Sequence, residues 1–419
     1  MQHSNYLIVG SSHAAFEATS AIRMFDSEGT LTLLTRDAHL PYSPTILPYV
    51  VSGRSQPDDV VLRDDGYFRN NHVALVRGAT VASLDPAQSC VYLASGETWR
   101  YERLLIATGA SPALPPIAGL DDVAFHVLRS MADAVRLRQA IGRAKTAIVL
   151  GAGLIGMHAA ENMAKAGVAV TVVELKPHAL SGYFEPGASA IIEGTFARNG
   201  VRMLMGRTIS EIEPHGEGCR ARMDDGAQIA SDLLLVCAGV KPNTTFLAGS
   251  GIDIEDGILV DDRMRTNVAN VWAAGDVAQA RGLWGGKVVN GILPNAVEQG
   301  RIAGFDMAGD AAVAPFAGAV PLNTYSFFGQ HAISVGRGAR SDGHDGLEVA
   351  ETADATRGTY RRIVLDEGRL FGISTINDFV DAGVMWQLIR RRVDLSALKA
   401  QFVADPRQIG RQLMSRTWR

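Results

Sequence analysis

The sequence predicts an α/β protein with two doubly wound folds, followed by a smaller α+β tail. Three observations carry that expectation. Short apolar runs end on glycine and pass into small-residue helices at two distant places, Tyr6 to Val9 into Gly10 and Thr146 to Leu150 into Gly151. Each helical stretch is followed by a second β-rich run, Leu31 to Leu34 and Val168 to Glu174. Continuous apolar strands alternating with helices read as buried parallel strands in βαβ units. Glycine is abundant, 44 of 419 residues, which suits folds with many tight strand-to-helix turns.

The remaining elements follow in order. Val73 to Arg103 alternates like a small antiparallel meander, and Ala110 to Leu120 is proline-rich and reads as a linker. Near Gly257 the chain is expected to return to the first domain. Past Pro315 its character changes: Tyr360 to Ile373 reads as two strands, with helical patterns from there to Arg419. A chain of 419 residues exceeds one core, and two or three domains are expected.

Composition narrows the function. Hydrophobic content of 47% with 20% charged residues is an ordinary globular balance, which excludes disorder. A net charge of -4 gives no electrostatic footing for nucleic acid or an anionic membrane. Cys90, Cys219 and Cys237 lie far apart with no C-x-x-C pair, so neither a metal site nor a disulfide framework is expected. The polar start, Met1 to Tyr6, reads as no signal peptide, and no apolar run is long enough for a bilayer. A cytoplasmic protein is expected.

The strongest motif is Gly151-Ala-Gly153-Leu154-Ile155-Gly156, between a strand and a helix, with Glu174 ending the next strand. The first glycine allows the tight turn, the second admits a pyrophosphate, and the third lets helix pack on strand. The helix N-terminus then offers free N–H groups and the positive end of its dipole. Glu174 can accept both ribose hydroxyls of NAD and would repel the extra phosphate of NADP, although neighbouring Lys176 blurs that preference. Gly10-Ser11-Ser12-His13-Ala14-Ala15 is a degenerate copy, with Thr35, Arg36 and Asp37 where an acidic ribose ligand is usual. Alone it is ambiguous.

Two further segments resolve it. Leu104 to Gly109 is a buried strand whose Ala107-Thr108-Gly109 end can turn close to a nucleotide. Asn270 to Asp276 delivers Gly275 and the Asp276 carboxylate at a strand C-terminal end, where α/β sheets bind ligands. Asp276 can hold a ribityl hydroxyl of a flavin; the alternative is an N-cap for a helix over Val277 to Ala280. Together these segments favour FAD in the first fold.

From about Tyr6 to Gly309 the order of motifs resembles the FAD-dependent pyridine nucleotide–disulfide oxidoreductase superfamily. The resemblance implies two Rossmann-like domains: FAD over 1–118 and 257–314, NAD over 119–256, and a C-terminal interface domain over 315–419. It implies FAD contacts at Ser43, Pro44 and Val81 as well. Cys237-Ala238-Gly239 resembles the turn that closes the NAD site. Leu293 to Gly304 resembles the family's flavin-facing helix, with Asn295 and Ala296 at the flavin's pyrimidine edge. The redox cysteines of the disulfide members are absent from Pro41 to Tyr49, which excludes dithiol exchange. That stretch instead resembles the ferredoxin, rubredoxin and nitrite reductase branch, although Pro44 replaces an arginine and His158 a glutamate usual near the flavin.

His39 to Gly53 further resembles the FAD-bearing subunits of acylating 2-oxoacid dehydrogenase complexes. That likeness implies iron–sulfur and thiamine diphosphate-dependent partner subunits, with this chain as the NAD+-reducing end. Hydride exchange with a flavin requires no acid–base residue, so no catalytic residue is assigned. His13 and His158, on the first turns of the two nucleotide helices, are read as packing or exposed groups. Arg390 to Arg392 with Arg407, Arg411, Arg416 and Arg419 form either a dock for an acidic ferredoxin-like subunit or a solvated helix face. A free-standing NADH oxidase or ferredoxin reductase, and a flavoprotein whose redox state tunes partner binding, stay open as alternatives.

Overall fold

A computed structural model describes residues 1–337, 346–354 and 356–417. The first sheet has seven strands, with Gln2–Val9 between parallel neighbours Leu31–Thr35 and Thr98–Ile106. Their inward residues Ile8, Leu33 and Leu105 are fully buried, each worth roughly 1.5–3 kcal/mol of apolar transfer. Val271–Ala273 joins the same sheet against Leu104 to Ile106, so a segment distant in sequence completes it. Ile258–Leu259, just after Gly257, instead pairs with Ala278–Arg281 in a small separate sheet.

The expected meander is corrected in part. Val81–Asp85, Cys90–Leu93 and Thr98–Ile106 are antiparallel, but Val73–Arg77 is a parallel strand beside Leu31–Thr35. It is half-exposed at the sheet edge, and a half-buried edge strand alternates whichever way its neighbour runs.

Helices His13–Phe25 and Leu293–Ala308 cross closely on this sheet. A Cβ on Gly300 would lie 2.2 Å from the Ala14 carbonyl oxygen, and one on Gly304 2.5 Å from that of Ala18. The close crossing brings the start of the second helix to the same edge as the Gly10 turn.

The second parallel sheet runs in the order Arg202–Met205, Ala169–Glu174, Thr146–Leu150, Leu233–Val236. Three antiparallel strands between Ile209 and Ser231 replace a crossover helix. Two short strands, Ala110–Pro112 and Val240–Pro242, pair antiparallel where the chain leaves the Ala-Thr-Gly turn and where it leaves the second sheet. The first three residues of the proline-rich stretch are therefore one side of a hydrogen-bonded ribbon.

The tail is a five-stranded antiparallel sheet whose strands Thr359–Asp366 and Arg369–Ile376 match the expected pair. Leu322–Phe327, Gln330–Gly336 and Glu348–Asp354 went unread in the sequence. One face, with Val335, Ile363 and Ile373, packs on helix Ala382–Arg390. The other presents Tyr325, Phe327 and Tyr360 to the core of the second nucleotide fold, where Phe327 stacks on Phe196.

Candidate functional site

The carboxyl ends of the first sheet open into a cleft of about 550 Å³. Gly10, Ser12, His13 and Ala14 line it. Thr35, Arg36, Val81, Ala107, Thr108, Gly109, Gly275 and Asp276 line it as well. Pro44 and Ala296 line it too. Ser43 does not; its hydroxyl is paired with His13 Nε2 at 2.8 Å and with Thr45 at 2.7 Å. Burial, with help from Arg63, holds the His13 imidazole below its usual pKa, and Asp276 pulls it partly back. His13 is thus a neutral, positioned side chain at pH 7.

The Gly10 turn is built as its position demands. Gly10 has φ +130, and a Cβ there would meet the Ala107 carbonyl oxygen at 2.2 Å. Ser12 has φ -107, an ordinary value, which is why a serine is tolerated where a glycine is usual. The Ser11 hydroxyl donates to Thr35 Oγ1 at 2.9 Å, tying the turn to the neighbouring strand end.

Several groups fit an elongated anionic dinucleotide. Neither Ser12 nor Ile292 makes a side-chain cap, so the starts of two long helices reach the cleft without side-chain caps on their N–H groups. Asn295 is 1% exposed, and both polar atoms of its amide lack a partner. A buried amide left so is costly unless a bound group satisfies it. Asn295 does not itself line the open cleft; Ala296 beside it does.

Asp276 caps no helix, because Ala278–Arg281 is a strand. Its carboxylate instead accepts from Arg129 Nη2 at 2.8 Å, and Arg129 Nε donates to the Ala110 carbonyl. Arg129 was missed in the sequence. The box Ser130-x-x-Asp133 caps helix Met131–Ile141 and marks the helix start that carries it. Nothing local points to a partner 147 residues away. Tyr42 was missed likewise: its hydroxyl donates to Asp37 at 2.6 Å and accepts from the Met131 N–H at 2.8 Å. Asn243 bonds Thr108 twice, locking the two sheet-end turns together.

The second turn repeats the first. Gly151 has φ +108, with a Cβ position 2.3 Å from the Cys237 carbonyl oxygen, and a Cβ on Gly156 would lie 2.1 Å from that of Gly151. Gly153 has φ -76 and open space where a side chain would stand. Leu154 begins the helix and Ile155 is 37% exposed. Glu174 accepts from the Ala152 N–H at 2.7 Å and from the Lys176 N–H at 2.9 Å. Gly239 has no atom near its Cβ position. Leu175 and Val240 add exposed apolar surface, so this side is an open shelf.

His158 lies in the second helical turn rather than the first, edge-on to Tyr325 at 4.7 Å, and burial lowers its pKa. Of the arginine run, Arg390 turns inward onto Glu298 and lies over Trp386. Arg411 pairs with Asp381. The Arg416 side chain and Arg419 lie outside the described residues. Among the described residues no acidic, His or Cys cluster is placed to hold a metal, and no helix is long and apolar enough to cross a membrane.

Comparison with known proteins gives a consistent result. The family model described as pyridine nucleotide-disulphide oxidoreductase matches residues 4–300. The NADH-dependent phenylglyoxylate dehydrogenase subunit epsilon of Aromatoleum evansii is 52% identical over 421 residues, covering 100% of this chain and 99% of that protein. A rubredoxin-NAD(+) reductase of Pseudomonas putida is 28% identical over 312 residues, 74% of this chain and 81% of that one. Among solved structures, a ferredoxin reductase from Rhodopseudomonas palustris superposes with a TM-score of 0.81 at 27% identity, covering 89% and 91% of the two chains.

Proposed function

The chain belongs to the pyridine nucleotide-disulphide oxidoreductase family, and on that premise we propose that it is the FAD-bearing, NAD+-reducing subunit of an acylating 2-oxoacid dehydrogenase of phenylglyoxylate type. Its partners in this reading are iron–sulfur and thiamine diphosphate-dependent subunits, which carry the 2-oxoacid chemistry. The observation that carries the reading is the contrast between a first cleft lined by Gly10, Arg129 and Asp276 and a second turn set among exposed apolar residues, within a chain 52% identical to the epsilon subunit of such an enzyme.

A bound flavin supplies the junction between two-electron hydride chemistry and one-electron transfer. The chain's own residues do the holding. The helix starts at His13 and Leu293 favour negative charge, Asp276 offers a charged acceptor fixed by Arg129, and Asn295 offers an unspent amide. At the second turn Gly153 leaves room for phosphates and Glu174 faces the ribose position.

Thiols take no part in this reading. None of the three cysteines lines the cleft, and burial pushes the Cys237 thiol up to about 12. Electrons therefore leave directly to a docked partner.

Purification from the native source tests the assignment. Iron–sulfur and thiamine diphosphate-dependent chains recovered in fixed ratio with this one would support it. A chain recovered alone, turning over a soluble rubredoxin or ferredoxin with NADH, would replace it with a free-standing reductase. A chain that binds a partner in only one redox state and does not oxidise NADH would make it a binding module.

A further inference from the structure

Two cations flank Glu174, and only one of them is free. Strands Arg202–Met205 and Ala169–Glu174 are parallel neighbours with Met205 opposite Glu174, roughly 4.8 Å apart. Beyond the register, the Arg207 N–H donates to the Glu174 carbonyl at 2.9 Å and the Gly206 N–H to that of Lys176 at 2.9 Å. Arg207 therefore starts one strand away from the carboxylate that faces the ribose position. Lys176 is exposed, and its ammonium makes no ion pair among the described residues.

Arg207 is held elsewhere. Its Nε donates to Asp224 Oδ1 at 2.8 Å and its Nη2 pairs with Asp225. Both aspartates sit in the turn between Gly218–Met223 and Gln228–Ser231. The turn is stitched down by Asp224 N–H to the Thr208 carbonyl at 3.0 Å and Ala227 N–H to Asp225 Oδ1 at 2.9 Å. The contact holds both carboxyls below their usual range. The guanidinium that would grip a 2′-phosphate in bidentate fashion is therefore already engaged by two carboxylates.

We propose that Asp224 and Asp225 cage Arg207 and thereby enforce the choice of NAD(H) over NADP(H), a restraint that acts beside Glu174. The proposal rests on the second turn being the nicotinamide-nucleotide site. Its test is equilibrium binding of adenosine 2′,5′-bisphosphate and of ADP to the purified full chain, so turnover is not required. The Asp224→Asn/Asp225→Asn variant keeps the turn's acceptor oxygens and, with Arg207 released, should bind the bisphosphate about tenfold more tightly while ADP affinity stays within about twofold. Adding Arg207→Gln should abolish that gain. An unchanged bisphosphate affinity in the double variant would overturn the cage. So would a gain that persists without Arg207, since it would report only the loss of repulsion. Wild-type protein that binds neither ligand would refute the nucleotide site itself, a distinct outcome.

Discussion

The two nucleotide turns share one backbone and differ in what surrounds it. Gly10 and Gly151 both have positive φ, and each would drive a Cβ into a backbone carbonyl. The carbonyls met are those of Ala107 and Cys237, each just past the end of the laterally paired strand. In both, the helix begins three residues later, at His13 and Leu154. Ser11 bonds the end of the next strand at Thr35, as Ala152 bonds Glu174. Around the first turn, Arg129, Tyr42 and the helix from Leu293 close a cleft. Around the second stand exposed Ile155, Leu175 and Val240. In the proposed reading the common turn takes a dinucleotide, and the surroundings decide whether it is kept or exchanged.

Breaking the shared backbone should have the largest effect. Gly10→Val and Gly151→Val each combine a disfavoured φ with a backbone collision and should cost about 3 kcal/mol or more. Thermal unfolding and flavin content check them: the first should give colourless protein, and the second, if it folds, yellow protein without NADH oxidation. Gly153→Val is the sharper probe, because its backbone is ordinary and its space open. Its melting should shift by no more than about 1 kcal/mol, with nicotinamide turnover lost and flavin retained.

Asp276→Ala removes a carboxylate that lines the cleft and takes the ion-pair partner from Arg129. Flavin affinity should weaken by about 1–3 kcal/mol, read by flavin release on dilution. NADH binding to the second turn should not change.

The histidines of the two helices give a smaller, pH-dependent contrast. Burial holds both His13 and His158 below the unfolded value of about 6.5, so between the two values the unfolded chain binds more protons. Stability should therefore fall as pH drops through about 6.5 toward the folded values. His13→Gln and His158→Gln should each flatten that slope in denaturant titrations from neutral to mildly acid pH.

Smallest should be the effect of replacing Cys90, Cys219 and Cys237 together by Ser or Ala. Dye-linked NADH oxidation should survive, at a stability cost of about 1 kcal/mol per buried sulfur. Lost electron transfer with flavin retained would restore a thiol relay to the mechanism.

Much of this contrast is legible in the sequence, because a turn and the strand feeding it are local. Gly151, Gly153 and Glu174 announce themselves by spacing, Asp276 by its place after a strand, and Gly10 only with the support of the Ala107-Thr108-Gly109 end and Asp276. What was not legible is what closes the cleft. Arg129 finds Asp276 across 147 residues, and Tyr42 reaches a backbone N–H at Met131. Tertiary contacts of that kind leave no periodic trace. The tail was half read for a related reason: Glu348–Asp354 is exposed along most of its length and carries no alternating pattern. Val73–Arg77 alternated for the wrong reason, being an edge strand.

The most direct test is an anaerobic titration of the purified protein with NADH, followed by its visible spectrum. The account predicts yellow protein whose flavin band bleaches in proportion to the NADH added, with FAD as the nucleotide released on denaturation. Protein that carries no flavin, or whose flavin stays oxidised while NADH binds, would contradict it.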